Sequence, residues 1–462
     1  MKKFVNILLI LTLVFVLVGC GGGSKGEVVD FSDTFGKKTK LVIWLDDDDN
    51  NYMEALAEAF NAKYPNIVVE FMHQATVDAR ERLKTYGQSD NGADIFQFPH
   101  DHMAQAILED LVYPLPSTLK ATLEESILPI ALDIATVAYN PDTKEFGSGT
   151  EQLYAVPISI ESVGLYYNID LLNNIHGEGN WAPPTTMEEL IAEAQFYMDP
   201  DNQGKPGGRY KIADDDGSGN PVYSSNFYFA TGSHWGDAYF NQFIFSAFGW
   251  RPFGENGDDD STVGFTSPNL TAALTYLRDV IKPITTGTGN HNSIAGQNLF
   301  EEGKLPYVIS GPWAISTFRK AGVNFGIALL PTINGNPTRT FAGAQMLAIY
   351  KHSRNKEAAI KFMEFLGTPE AAEILYREEG DLPALKAEYF SQIEGLADDE
   401  LARAITRQLE TSIPMPTIPA VTYYWGPAET MVVNIWNSSK DIAEEQIAAE
   451  NSYRARMGFA ND

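Results

Sequence analysis

Residues 156–168 read VPISIESVGLYYN, and the fold turns on how they are parsed. Val156, Ile158 and Ile160 alternate with Pro157 and Ser159, the period of a half-buried strand. Past Glu161 the parity inverts, and Val163, Leu165 and Tyr167 become the apolar set. Successive side chains of a strand face opposite ways, so such an inversion turns the buried face over unless the chain bends or changes sheets. The stretch therefore reads as a strand leaving one domain and entering another, with the carboxylate of Glu161 at the crossing. A bulge within one sheet, carrying a surface glutamate, satisfies the same local pattern.

Upstream of the crossing, residues 40–45 (KLVIWL) read as a buried strand. The acidic run at 46–49 can cap a helix over 52–64, whose Met53, Leu56 and Phe60 share a face. A strand at 67–71, a helix near 77–86, a strand at 94–98 and a helix from about 101 to 110 continue the alternation. That order predicts a largely parallel sheet covered on both faces, an α/β class. In such sheets ligands bind beyond the carboxyl ends of the strands, where residues 46–49 and 99–102 fall.

Downstream, helices are expected at 187–198, 239–250, 270–281 and 294–300, followed by a strand at 306–310. Strand character returns at 325–330 and 346–350, before helices at 357–366, 369–376, 401–409 and 428–449. The return implies that the chain crosses back, so that both lobes are discontinuous. The expected first lobe is 40–159 plus about 328–392, and the second is 160–327 plus about 393–462. Residues 199–223 are rich in Gly, Asp and Asn and read as an extended loop. Its segments 199–204 and 214–219 each resemble half of a calcium loop but lack the required glutamate, so solvated turns fit better and no metal site is assigned.

Lys2 and Lys3 precede an apolar run at 7–18, ending in Leu17-Val18-Gly19-Cys20. This describes a secretory signal peptide at 1–19, too short for a comfortable membrane span. Cys20 is the one cysteine of the 462 residues, so it has no partner for an internal disulfide. A lone cysteine after Leu-Val-Gly resembles the lipobox of bacterial lipoproteins, in which it becomes the lipidated first residue. Residues 20–39, opening with Gly21-Gly22-Gly23-Ser24 after that cysteine, then read as a flexible tether. The remaining chain is longer than one hydrophobic core normally serves, so two domains are expected. A net charge of −28 argues against nucleic acid, whose phosphates need clustered cations.

No nucleophile–base arrangement is legible: the seven histidines are scattered, and His-Glu-x-x-His, Gly-x-Ser-x-Gly and phosphate-loop patterns do not occur. What recurs is a polar residue beside an aromatic one at expected strand ends. Phe98 lies near Asp101, Asp237 near Tyr239, Trp313 follows Gly311-Pro312, and Trp425 follows Tyr423-Tyr424. This mixture suits sugars, whose hydroxyls need planar carboxylate acceptors and whose C–H faces need aromatic rings.

Several short motifs then stand in a telling order: KLVIW at 40–44, DIF at 94–96, Pro157-Ile158 with Glu161, SGPW at 310–313, LPT at 330–332, and MPTIP at 415–419 leading to Trp425. Together they resemble the maltose- and maltodextrin-binding members of the bacterial extracellular solute-binding proteins that serve ABC importers. The resemblance runs from 40 to about 437. It implies a two-lobe, periplasmic-binding-protein-like fold (type II), with discontinuous lobes joined by a hinge and closing over an oligosaccharide. It further implies a monomer without catalytic activity or cofactor, held outside the cytoplasm by the lipid on Cys20 and working with permease subunits in the membrane.

Residue by residue, the resemblance matches Asp48 to the acid after the first strand, and Asp101 and Glu161 to acids that accept sugar hydroxyls. Phe98 stands where the family commonly has a first-lobe tryptophan. Tyr239, with Asp237 just before it, matches the second-lobe tyrosine, and Trp313 and Trp425 match two stacking platforms. Two cationic donors of the family are replaced, by Asp49 and His102, which makes the first-lobe wall more acidic. Xylo-, galacto- and mixed-linkage oligomers therefore stay open beside malto-oligosaccharides. Two other function classes remain: an exported carbohydrate-active enzyme using Glu161 and Asp101 as an acid pair, and a binder of cationic small molecules drawn to the 46–49 run.

Overall fold

In the computed structural model the described residues are 38–458, less 48, 90–91, 225–226, 256, 286–292 and 439. The signal peptide, Cys20, nearly all of the tether and Asp48 lie outside them. No helix among the described residues is long and apolar enough to cross a membrane.

The strands, in chain order, are β1 (Thr39–Leu45), β2 (Ile67–His73), β3 (Ile95–Pro99), β4 (Thr136–Asn140), β5 (Glu145–Leu153), β6 (Val156–Glu161) and β7 (Gly164–Asn168). They continue as β8 (Lys211–Ala213), β9 (Val222–Tyr223), β10 (Phe229–Thr231), β11 (Tyr307–Ser310), β12 (Phe325–Ala328), β13 (Phe341–Ile349) and β14 (Ile413–Pro414). The first sheet runs β14-β13-β3-β1-β2, with β6 also paired to β13. The second runs β10-β11-β7-β12.

The parity inversion at Glu161 is thus a change of sheet. β6 ends at Glu161 opposite Gly343 of β13, and after Ser162-Val163 the chain enters β7 between β11 and β12. The chain crosses back between β12 and β13, and β14 brings a late segment onto the edge of β13 in the first sheet. β6 is buried over 156–160, because the helices Pro129–Ile134 and Lys356–Leu366 both pack on it. On β7 the alternation separates Leu165, which belongs to a second-sheet cluster with Phe243 and Trp436, from Tyr166, which joins a larger cluster containing Phe60, Phe96 and Phe362.

The expectation of a largely parallel sheet holds for β1, β2 and β3 and is corrected for the strands that join them later in the chain. β1 is parallel to β2 and β3, but β13 is antiparallel to both β3 and β6, and β7 is antiparallel to both of its neighbours. Strands linked by a covering helix must run parallel, whereas a strand arriving from the other sheet is under no such constraint. Residues 199–223 are also more ordered than a plain loop, since β8 and β9 pair as a short hairpin. Within it Asp215 and Asp216 accept from the turn N–H groups of Gly217 and Ser218, at 2.8 and 2.7 Å.

The acidic run is largely spent on helix termini. A carboxylate of Asp47 accepts from the N–H of Met53 at 2.9 Å, inside the first turn of the helix Asn51–Lys63. Asp46 does the same for Thr76, at 3.1 Å, where the helix Thr76–Tyr86 begins. An anion there meets unpaired N–H groups and the positive end of the helix dipole.

Candidate ligand-binding cleft

A cleft of about 660 Å³ opens between residues carried by the two sheets. From the first come Gln97 and Pro99 at the end of β3, and Asp101 in the short turn His100–His102 that follows it. Glu161 at the end of β6, Gln345 of β13 and Asp381 complete this side. The other side carries Asp237, Tyr239, Trp313, Trp425 and Glu429. Asp101, Glu161, Asp237, Tyr239, Trp313 and Trp425, all expected from the sequence, therefore line one space.

Phe98 does not. It is fully buried and stacks on Phe96 with ring centroids 5.1 Å apart, so its ring belongs to the core. The reason is alternation: on β3 it is Gln97 and Pro99 that face the cleft, and Phe96 and Phe98 take the opposite face.

Each polar group is held by its element. Asp237 caps the helix Ala238–Ala247, one oxygen accepting from the N–H of Tyr239 at 2.9 Å and the other from Ser233 Oγ at 2.7 Å. Asp101 accepts from Trp425 Nε1 at 2.8 Å, a bond that bridges the cleft. Glu161 receives a long contact from Gln345 Nε2, at 3.4 Å. The Tyr239 hydroxyl and Gln345 Oε1 are buried and have no partner in the protein, which leaves a donor and an acceptor for a ligand.

The aromatic groups form an arc. Trp313 and Tyr239 lie 6.4 Å apart between ring centroids, Tyr239 and Phe341 6.1 Å, and Phe341 and Trp425 6.1 Å edge-to-face. Trp313 is 40% exposed, an unusual exposure for so large an apolar surface, and so presents a free ring face. Its position depends on Gly311: a Cβ there would lie 2.2 Å from Cη2 and Cζ3 of the indole.

Burial dominates the electrostatics. It pushes Glu161 up to about 8, reinforced by the nearby Asp381 and Asp101 anions and partly opposed by Gln345. It pushes Asp381 up to about 6. The Tyr239 phenol is raised well above its usual value by burial and by Glu161, Asp237 and Asp101. Burial also lowers His102, an effect partly opposed by Asp101. The cleft is therefore a set of hydrogen-bonding acids and amides facing a curved aromatic wall. No cluster of His, Cys, Asp and Glu among the described residues could hold a metal ion.

Asp46, from the acidic run expected beyond the strand ends, also lines the cleft, and Gln97, Gln345, Asp381 and Glu429 do so without having been singled out from the sequence. Gln97 and Gln345 carried a signal, each being a polar residue inside an apolar strand run. Asp381 and Glu429 carried none, because nothing in their flanking sequence sets them apart from the other acids of the chain.

Residues 55–402 match the family described as bacterial extracellular solute-binding protein. This chain belongs to that family. Among curated relatives, this solute-binding protein is 26% identical to the maltooligosaccharide ABC transporter solute-binding lipoprotein of Streptococcus pneumoniae, over 92% of its own chain and 90% of the relative. It is 25% identical to the galactooligosaccharide-binding protein of Bacillus subtilis, over 92% and 90%. Among solved structures it is similar to a cyclo/maltodextrin-binding protein complexed with maltotetraose, at a TM-score of 0.67 and 25% identity, over 93% of this chain and all of that one. The two-lobe α/β fold of that class accounts for the paired sheets and the repeated crossings between them.

Proposed function

We propose that this solute-binding protein captures an oligosaccharide, with malto-oligosaccharides favoured, and presents it to an ABC importer. The observation that carries the reading is the convergence of Asp101 and Glu161 from the first sheet with Tyr239, Trp313 and Trp425 from the other side on one cleft. The names of the relatives support a sugar ligand, and their near-equal identities favour malto- over galacto-oligosaccharides only weakly. The lobes proposed are 40–159 with about 328–392, and 160–327 with about 393–462, hinged where β6 passes into β7, where β12 passes into β13, and at β14, which touches the edge of the first sheet. Ligand contacts both lobes only when they close, so it shifts the open–closed population by its affinity difference for the two states. The closed form is the one a membrane permease reads, and a lipid on Cys20 keeps the protein beside it.

Binding proceeds without turnover. Glu161 and Asp101 share the cleft, where burial pushes Glu161 up to about 8 and the wall facing them is aromatic. Calorimetry with maltose through maltoheptaose, and with the matching galacto-oligosaccharides, should give saturable heat for at least one member. Chromatography of the incubated sugars should show no shorter products. Folded protein silent to every oligosaccharide would overturn the reading, and product formation abolished in Glu161→Gln would replace it with hydrolysis.

A further inference from the structure

Among the described residues, six carboxylates line the cleft and no lysine or arginine does. Most are engaged by the protein itself. Asp46 and Asp237 hold helix termini, Asp101 accepts from Trp425, and Glu429 faces His234 at 2.9 Å. Glu161 and Asp381 are less fully engaged, and the Ser159 hydroxyl beside Asp381 offsets only part of its burial. The one contact to Glu161 is the long Gln345 amide, and the charges acting on it are the anions Asp381 and Asp101. No cation offsets either carboxyl.

A sheltered carboxyl without a cation must hold a proton or receive positive charge from what binds it. A neutral sugar meets the first need, since its oxygens accept from a protonated acid. An ammonium group on a sugar ring meets the second. A uronate or sulfate ester can also accept from a protonated acid, but it brings a second negative charge beside Asp381 inside a poorly solvated space.

We propose that the cleft selects oligosaccharides by charge, admitting neutral and amino-bearing units and rejecting carboxylated or sulfated ones, with Glu161 and Asp381 imposing the selection. This rests on the oligosaccharide reading above and adds to it a substrate class and a specificity role for Asp381. The test compares maltotriose with its 6-carboxylate and 6-amino-6-deoxy analogues, and β-1,4-galactotriose with its own pair, by calorimetry at pH 7. In the wild type the carboxylate should bind at least about tenfold more weakly than the neutral sugar, and the amine as well as or better than it. In Asp381→Asn the spread between carboxylate and amine should shrink by about tenfold, and in Glu161→Gln, which replaces a group largely protonated at this pH, by less, with folding checked by melting temperature. A carboxylate that binds the wild type as tightly as the neutral sugar overturns the proposal. So does a spread left unchanged in both folded variants. Silence of all six sugars removes the oligosaccharide reading itself, whereas binding of the neutral sugars without charge discrimination removes only this one.

Discussion

Trp425 Nε1 donates to an Asp101 carboxylate oxygen at 2.8 Å, across the cleft that both residues line. The indole thus does two things, offering a ring face to the cleft and fixing an acid on the opposite wall. Trp425 begins the helix Trp425–Ser438 and packs against the second-sheet cluster, whereas Asp101 follows β3 of the first sheet.

The two roles can be separated by substitution. Trp425→Ala and Trp313→Ala should each weaken oligosaccharide binding by about 1–3 kcal/mol, from lost stacking and apolar burial. Trp425→Phe keeps an aromatic face and loses the N–H, so its loss should be smaller than that of Trp425→Ala. Isothermal titration of the three variants against one sugar checks the order.

Gly311 should control binding without touching ligand. Its added Cβ would sit within the Trp313 ring, and its carbonyl already accepts from the buried Tyr166 hydroxyl at 2.5 Å, which limits backbone retreat. The exposed indole can swing away, so Gly311→Ala should lower affinity by about tenfold, as removal of the ring face would, while costing little stability. Affinity and melting temperature measured on the same preparation distinguish this from general unfolding.

Three hydroxyls meet where the chain passes between sheets. Ser162 Oγ lies 2.5 Å from Thr340 Oγ1 and 3.0 Å from Ser412 Oγ, and the last two are 2.7 Å apart. Each comes from a different passage: after β6, before β13 and before β14. Thr340→Val should destabilise by about 1–2 kcal/mol, because it strands buried partners. It should also alter the ligand-dependent change in radius of gyration measured by small-angle scattering, since these contacts sit at the proposed hinge.

Stability should fall as pH rises from 6.5 to about 8. Glu161 and Glu379 are both pushed to about 8 in the fold by burial, and the unfolded chain has them ionised near 4.5. In this window the native state therefore binds more protons than the unfolded state, and the slope of stability with pH is negative. His100 and His102, lowered from 6.5 by burial, act in the opposite direction only at more acidic pH. Thermal melts across the window should show the decline, and Glu161→Gln should make it shallower.

Local pattern was enough for much of this molecule. The crossing at Glu161 was legible because a period-two alternation cannot change phase inside one flat sheet without cost. The helices at 52–64 and 187–198 were legible from their apolar faces, and the structure adds a capping box formed by Thr186 and Glu189 for the second. The β4–β5 hairpin was not, because its strands carry no buried alternating face and are rich in glycine near 147–149.

The candidate cleft divides in the same way. Acids and aromatics at strand and helix ends announced themselves by chemical type, and the sequence alone pointed to the class of the chain and to the kinds of side chain that line the candidate cleft. Tertiary structure alone decided that Phe98 turns inward while Gln97 turns out, that Asp46 serves the helix beginning at Thr76, and that Asp381 comes to rest beside Glu161. The physical reason is range. Periodicity and capping act over a few residues, whereas burial, close approach and the pairing of charges depend on segments hundreds of positions apart, which only the packed fold brings together.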